Sequence, residues 1–593
     1  MESNNDALVT FRGVTKTFRA GKRSVRALRD LTTSVPAGQV TGLIGPDGAG
    51  KTTALRIAAG LYVPDAGEAS VLGMDVARHA LAVQANVGYM PQRFGLYEDL
   101  TVQENLDLYA DLQGVAHARR ADRYRELMVM TGLAPFPNRL AGKLSGGMKQ
   151  KLGLACVLVH PPRLLLLDEP TVGVDPVSRR ELWQIVDRFV QEEGTTVLVS
   201  TGYFDEAERC DTLIVLHEGQ MLSHGTPASF SEPLAGRTFK VRVEGMKYRE
   251  VQARLNDCEE LVDAVIQGEG VRIVTRQACD ASVIPCQELL PESSQATVRP
   301  EAPRFEDAFV AMLGDHRQAG RKPAKSSSQE QGESQQRYVS HGDADAPVIQ
   351  VNDVKRRFGD FYAVKGVTFD VERGEIFGLL GANGAGKTTT FRMLCGLLPA
   401  SEGKLYVAGV DVRRTAVKAR ARIGYMAQKF SLYGSLSVMD NLRFFSSAYR
   451  LEGKRRQARI HWALQEFELE SVANTNSGDL PLGYKQRLSF ACALMHEPEI
   501  LFLDEPTSGV DPLARREFWR RTNALTTRGV TVLVTTHFME EAENCDRLVI
   551  MSEGEVLAQG APAAIKRRMQ TADNPEPTME DAFIQLIESR TPS

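Results

Sequence analysis

The sequence predicts an α/β fold built twice along one chain, with a small α+β domain between the copies. Three observations predict it. First, GPDGAGKTT at 45–53 recurs as GANGAGKTT at 381–389, and the register then holds. Lys51 and Lys387, Gln92 and Gln428, Glu169 and Glu505, and Asp175 and Asp511 are each 336 positions apart, while Cys210 and Cys545 are 335 apart. A register this long marks two copies of one domain, with one residue gained or lost on the way. Second, a short apolar strand precedes the glycines in each copy, QVTGLIG and EIFGLLG, and a helix-compatible run follows. Third, an almost purely apolar run ends in acid in each copy, LLLLDEP and ILFLDEP. Such a run suits a central parallel strand buried on both faces.

Composition narrows the function. The 593 residues allow three to six domains, and 43% apolar with 25% charged residues is an ordinary globular balance. A net charge of −4 argues against nucleic acid as a partner, which calls for a clearly basic surface. No apolar run approaches the ~18–20 residues needed to span a bilayer, and the polar, acidic start MESNNDALVT is not expected to be a signal peptide. Eight cysteines without a CxxC pair point away from zinc ribbons and iron–sulfur clusters, and are expected to be reduced thiols in the core.

The copies differ at their ends. PRFEDAF follows Cys210 by 93 positions, whereas PTMEDAF follows Cys545 by 32, so the first copy carries about 61 further residues before its last helix. Within them TFKVRVEG and GVRIVTR alternate apolar and polar, with the helical pattern REVQARLND between. The expected organisation is a first copy of the repeated domain over 8–235, an accessory α+β insertion over 236–300 and a closing helix over 301–314. A linker over 315–347 and a second copy of the repeated domain over 348–593 complete it. The linker's RKPAKSSSQEQGESQQ has the composition of a disordered segment.

The strand–GxxxxGK[ST]–helix order is the context a phosphate-binding P-loop needs. Gly45, Pro46, Asp47, Gly48, Ala49 and Gly50, and in the second copy Gly381, Ala382, Asn383, Gly384, Ala385 and Gly386, would curl backbone N–H groups around a polyphosphate. The helix N-terminus adds partial positive charge. Lys51 and Lys387 would contact the terminal phosphates, and Thr52 and Thr388, followed by Thr53 and Thr389, would hold magnesium. Ligands in parallel sheets sit beyond the carboxyl ends of strands, so Asp168 and Asp504 are placed to reach magnesium through water. Glu169 and Glu505, one residue on, are suited to polarise an attacking water.

These residues resemble the ATP-binding subunits of ABC transporters. The specific signal is LSGGMKQK at 144–151, between P-loop and strand acid. The resemblance covers roughly 8–230 and 348–565, and the closing EDAF segments look like the drug-resistance branch of ABC-2-type exporters. It implies two P-loop ATPase domains, each with a helical subdomain over about 93–160 and 429–496, binding ATP and Mg²⁺ and no other metal. Phe18 and Phe358 would stack on adenine. Gln92 and Gln428 would sense the γ-phosphate, approach the magnesium and face the membrane partner. Ser145, Gly146 and Gly147 would bind ATP from across the pair, and a histidine after the next strand would act as switch. The two domains would pair head to tail. Separately encoded membrane-spanning permease subunits would be the partner, which places the chain peripherally on the cytoplasmic face of the membrane.

Departures between the copies matter more than the matches. The second signature reads LPLGYKQR, so Ser145 becomes Pro481, Gly146 becomes Leu482, and only Gly147 survives, as Gly483. Proline has neither hydroxyl nor N–H, and leucine adds bulk where backbone must come close. VTTHFMEEAE carries His537 at the switch position, whereas VSTGYFDEAE has Gly202. Asp47 stands where the second loop has Asn383, a mildly unhelpful charge near phosphate. In a head-to-tail pair, site one combines the first P-loop, Glu169 and Gly202 with the altered signature. Site two combines the second P-loop, Glu505 and His537 with the intact one. Both major losses fall in site one, so Glu505 and His537 are expected to dominate catalysis, with Glu169 in a lesser role.

Cys156 and Cys492 are expected in the core, and His160 and His496 on the surface. The Phe94/Tyr97 and Phe430/Tyr433 pairs suit either packing or a membrane-subunit contact. The competing function is a soluble tandem ABC ATPase acting on ribosomes or DNA. It would call for a charged helical arm, zinc cysteines or an iron–sulfur domain, and the Ser/Gln-rich linker and cysteine spacing point away from it.

Overall fold

The computed structural model describes residues 7–20, 23–92, 95–280, 296–320, 346–572 and 574–589. Arg93, Phe94, and residues 321–345 of the expected linker lie outside them. The chain divides into two compact units, 1–233 with 304–306, and 234–303 with 307–593.

In the first unit a six-stranded sheet has the order Gln220–Gly225, Thr212–His217, Val40–Ile44, Thr196–Thr201, Leu164–Asp168, Val87–Met90. The P-loop strand Val40–Ile44 pairs in parallel with both neighbours, and it, Leu164–Asp168 and Thr196–Thr201 are buried at every position. That explains the continuous apolar runs: both faces are covered, so alternation has nothing to report. An antiparallel sheet of Ala7–Ala20, Arg23–Pro36, Ala66–Val71 and Met74–Asp75 packs Phe11, Val14 and Leu28 into the same core as Leu43, Leu55, Ile57, Leu166 and Ile214. Helices Val102–Leu112, His117–Met130 and Gly146–Leu158 lie between the strands Val87–Met90 and Leu164–Asp168 in sequence.

The second unit holds the same six-strand order: Ile423–Met426, Ile500–Asp504, Thr531–Thr536, Ile376–Gly381, Arg547–Ser552, Glu555–Gly560. It also holds an antiparallel sheet ordered Leu261–Ile266, Val271–Thr275, Thr238–Val243, Ala296–Pro300, covered by the helix Tyr248–Asn256. Phe239, Val241, Val251, Leu255 and Ile273 give this small sheet its own core. It is inserted in the first copy's chain yet belongs to the compact unit of the second. The helix that follows runs Phe305–Gly320, past residue 314, because DHRQAG contains no breaker before its glycine.

Among the described residues six cysteines are free thiols, Cys156, Cys210, Cys395, Cys492 and Cys545 being buried. Cys258 is disulfide-bonded, so the expectation of reduced thiols throughout fails there.

Candidate functional site

In copy one the P-loop strand enters Gly45 and the chain turns through Gly48 and Gly50, at φ 80° and 103°, into the helix Lys51–Ala58. A Cβ on Gly45 would meet the Leu216 carbonyl at 2.3 Å, and one on Gly50 would meet the Ala27 carbonyl at 2.5 Å. Backbone approach, as well as φ, therefore demands glycine here. Lys51 Nζ curls back to donate to the carbonyls of Gly45 at 2.7 Å and Pro46 at 3.2 Å, bridging the mouth of the loop. In copy two Lys387 does the same to Gly381 at 2.7 Å and Ala382 at 3.0 Å.

The strand acids meet the loops. The Thr52 hydroxyl donates to Asp168 Oδ1 at 3.0 Å, and the Ser200 hydroxyl donates to the same oxygen at 2.8 Å. Oδ2 of Asp168 is buried without a hydrogen-bond partner in the structure. A buried carboxylate oxygen left this way beside a threonine hydroxyl fits a divalent cation with oxygen ligands. Asp504 Oδ1 accepts from Thr535 at 2.6 Å, and burial, reinforced by the charge of Glu505, raises its carboxyl above the usual range.

Glu169 and Glu505 both sit at positive φ, 49° and 46°. Non-glycine residues rarely adopt this conformation, and such strain collects at functional sites. Each carboxylate accepts from the glutamine 77 positions before it: Gln92 Nε2 to Glu169 Oε2 at 2.7 Å, and Gln428 Nε2 to Glu505 Oε2 at 2.6 Å. Beyond this the sites part. Lys51 Nζ lies 3.7 Å from Glu169, while His537 Nδ1 lies 3.3 Å from Glu505 Oε2. Burial raises the Glu169 carboxyl, Asp168 adds to that, and Lys51 and Gln92 offset only part. Burial also pushes Glu505 upward, but His537, Lys387 and Gln428 together outweigh it and hold the carboxyl below the usual glutamate range. His537 is 1% exposed, and neither ring nitrogen completes a hydrogen bond in the structure, so its contact with Glu505 is one of proximity. At Gly202 nothing lies within 4 Å of an added Cβ, so packing does not force the loss of a side chain there.

The signature helices start alike and end their likeness at once. Ser145, at φ −66° and ψ 164°, caps the helix Gly146–Leu158 by accepting the Met148 N–H at 3.3 Å. Pro481, at φ −54° and ψ 154°, opens the helix Leu482–Ala493 with no side-chain cap. A Cβ on Gly147 would meet Ser178 Oγ at 2.4 Å, whereas one on Gly483 would find Ala514 at 3.6 Å. The close packing has relaxed along with the signature.

The rings of Phe18 and Phe358 are exposed on the equivalent antiparallel strands Ala7–Ala20 and Ile349–Phe358, Phe18 edge-on to Tyr62 at 5.3 Å and Phe358 beneath the Arg356 guanidinium at 4.5 Å. Tyr97 and Tyr433 are exposed, the latter against Phe444 at 4.6 Å, while Phe430 packs on the helical core. His160 is exposed, but His496 stacks on Tyr449 at 3.8 Å, and burial lowers its ring to about 4. The surface expectation therefore fails for His496.

Two pairs of residues escaped the motif reading. Ser200 and Thr535 each fix the strand aspartate by hydroxyl and accept the N–H of the following glutamate at 3.0 Å. Glu206 and Glu541 are buried acceptors: Thr171 and Thr201 donate to Glu206 at 2.6 and 2.5 Å, and Thr507 and Thr536 donate to Glu541. They tie the turns after Glu169 and Glu505 to the strands Thr196–Thr201 and Thr531–Thr536. Their recurrence 335 positions apart was the available signal.

The sequence pattern of the ABC transporter family matches residues 28–172 and 364–508. The chain belongs to this family, as a tandem ATPase that binds and hydrolyses ATP. It is 49% identical over 586 residues to "Probable multidrug ABC transporter ATP-binding protein YbhF" of Escherichia coli (strain K12), covering 98% of both chains, and equally to the protein of that name in Shigella flexneri. Over 218 residues it is 44% identical to "Nod factor export ATP-binding protein I" of Burkholderia lata, covering 37% of this chain and 72% of the relative.

Proposed function

We propose that this chain energises a membrane exporter through separately encoded permease subunits, by closing its two unequal ATPase domains head to tail around ATP. Site two, the second P-loop with the first signature, is the main hydrolytic site. The observation that carries this is the contrast between Glu505, which has His537 beside it, and Glu169, whose copy has Gly202 at the equivalent position with open space around it.

In site two the ionised Glu505 orients and deprotonates the attacking water. His537 offers a buried ring nitrogen to a γ-phosphate oxygen, Lys387 turns from its loop carbonyls to the phosphates, and Ser145 contributes its hydroxyl from the opposite domain. Phe358 stacks on the adenine there, and Phe18 in site one. Thr388, Gln428 and Asp504 would hold Mg²⁺, and Thr52, Gln92 and Asp168 its counterpart, where the ion neutralises phosphate charge. Site one keeps the phosphate cradle and lacks the switch side chain and the serine, so it mainly binds. The resemblance to multidrug and Nod factor export subunits supports export. No helix among the described residues is long and apolar enough to cross a membrane, consistent with docking at the cytoplasmic face through a permease.

Steady-state hydrolysis of two variants tests the asymmetry. Removing a positioned general base costs about 10²–10⁴ in rate. Glu505→Gln is expected to lose nearly all turnover and Glu169→Gln to keep a substantial fraction. Equal losses, or the reverse order, overturn the reading.

A further inference from the structure

The accessory sheet, though inserted in the first copy's chain, is seated on the second copy within one compact unit. Its helix Tyr248–Asn256 packs on Pro512–Thr527, the helix after the turn that follows Glu505. Arg249 donates to both oxygens of Asp546, at 2.7 and 2.8 Å, and its side chain is buried. Asp546 also accepts the N–H of Ile376, at the start of the second P-loop strand, at 2.9 Å. Asn523, 5% exposed, donates to Gln252 at 3.0 Å. Arg516 pairs with Asp263, and Arg567 with Glu269 at 2.7 Å.

The partner surface is particular to the second copy. Asn523 aligns with Asp187 of the first, which is instead ion-paired to its own domain's Arg209 at 2.9 Å. Thr522 and Thr526, both buried, align with Val186 and Val190. A buried arginine nitrogen shared by both oxygens of a carboxylate, beside a buried amide pair, is directional, and removing one partner strands the other. Such a surface fits one partner in one orientation.

We infer that the accessory domain is a latch, which holds the second ATPase domain to the first copy's chain when no nucleotide joins them. ABC-type closure and opening would then occur about a fixed attachment, and the segment 315–347 would not be the bond that keeps the halves together. This goes beyond the sandwich proposed above, because it operates without ATP.

The test uses the full chain with a protease site inserted within residues 321–345, cut in chelator and without nucleotide. The two fragments are expected to elute as one species at about micromolar protein. Arg249→Glu with Asp263→Lys is expected to weaken their association about a hundredfold or more, as loss of buried charge partners does at interfaces. A second measurement avoids relying on that variant's folding. In the cut chain carrying Gln252→Cys and Asn523→Cys, a short thiol–thiol crosslinker is expected to join the fragments covalently. Wild-type fragments that separate on cutting overturn the latch. So does co-elution that the charge variant leaves intact, or failure of the crosslinker to join fragments that stay together. Because nucleotide is absent throughout, failure of the sandwich leaves these outcomes unchanged.

Discussion

In copy one, Glu169 has a lysine nitrogen at 3.7 Å and open space where Gly202 stands; in copy two, Glu505 has the ring of His537 at 3.3 Å. Glu505 is buried and Glu169 partly so, both sit at positive φ, and both accept from a glutamine. Yet burial prevails at Glu169 and raises its carboxyl, while the charges around Glu505 prevail and lower it. The difference teaches that one duplicated backbone can hold equivalent carboxylates at different proton affinities. His537, which copy one lacks, leads the groups that hold the Glu505 carboxyl down, with Lys387 and Gln428 adding to it against desolvation.

The comparison can be broken most severely at the pairing itself. In the proposed head-to-tail pairing, site two needs Lys387 from one copy and Ser145 from the other. Lys387→Ala and Ser145→Arg are each expected to abolish hydrolysis, and mixing the two chains is expected to restore nothing, since every intrachain pair keeps a broken half. Holding two partners on one chain raises their effective concentration to about millimolar where the connection spans the sites, which favours pairing within a chain at micromolar protein. Turnover well above either parent after mixing would show pairing between chains.

His537→Ala is expected to lower hydrolysis on the order of 10²–10³-fold, the cost of removing one preorganised group at a reacting oxyanion. Gly202→Ala, by contrast, should change the rate little, since space is available and no reacting group is lost. Similar losses from both would erase the contrast.

The same side chain sets a pH dependence. In the proposed role Glu505 works ionised, and its carboxyl is held low, so activity should persist on acidification to below the usual glutamate range. With His537→Gln, burial is left to dominate and raises the carboxyl. Protonation then begins earlier as pH falls, so the acid limb of the rate profile should move to higher pH. An unmoved limb in the residual activity would separate the histidine from the charge state of Glu505.

The smallest effect sharpens the comparison. Combining Gly202→His, Pro481→Ser and Leu482→Gly returns both missing groups to site one. Two equivalent sites give at most about twice the turnover of one, if closure is shared. Rescue of Glu505→Gln by this triple change, measured as ATP hydrolysis, is the more sensitive readout.

The sequence by itself determined the duplication, the P-loops, the strand acids and the unequal distribution of signature and switch residues. Polyphosphate binding needs particular residues at short fixed spacings, and a repeat displays them twice. Long apolar strands were equally legible, because a strand covered on both faces carries no polar positions. The tertiary structure alone decided the rest. That His537 comes within 3.3 Å of Glu505, that Ser200 and Thr535 brace the aspartates, and that His496 stacks on Tyr449 depend on where neighbouring strands and helices end. The seat of the accessory domain was least legible of all. Arg249 and Asp546 are 297 positions apart, and Gln252 and Asn523 are 271 apart. Isolated polar residues on two domain surfaces have no period and no motif. Only folding brings them together, where burial makes their pairing count.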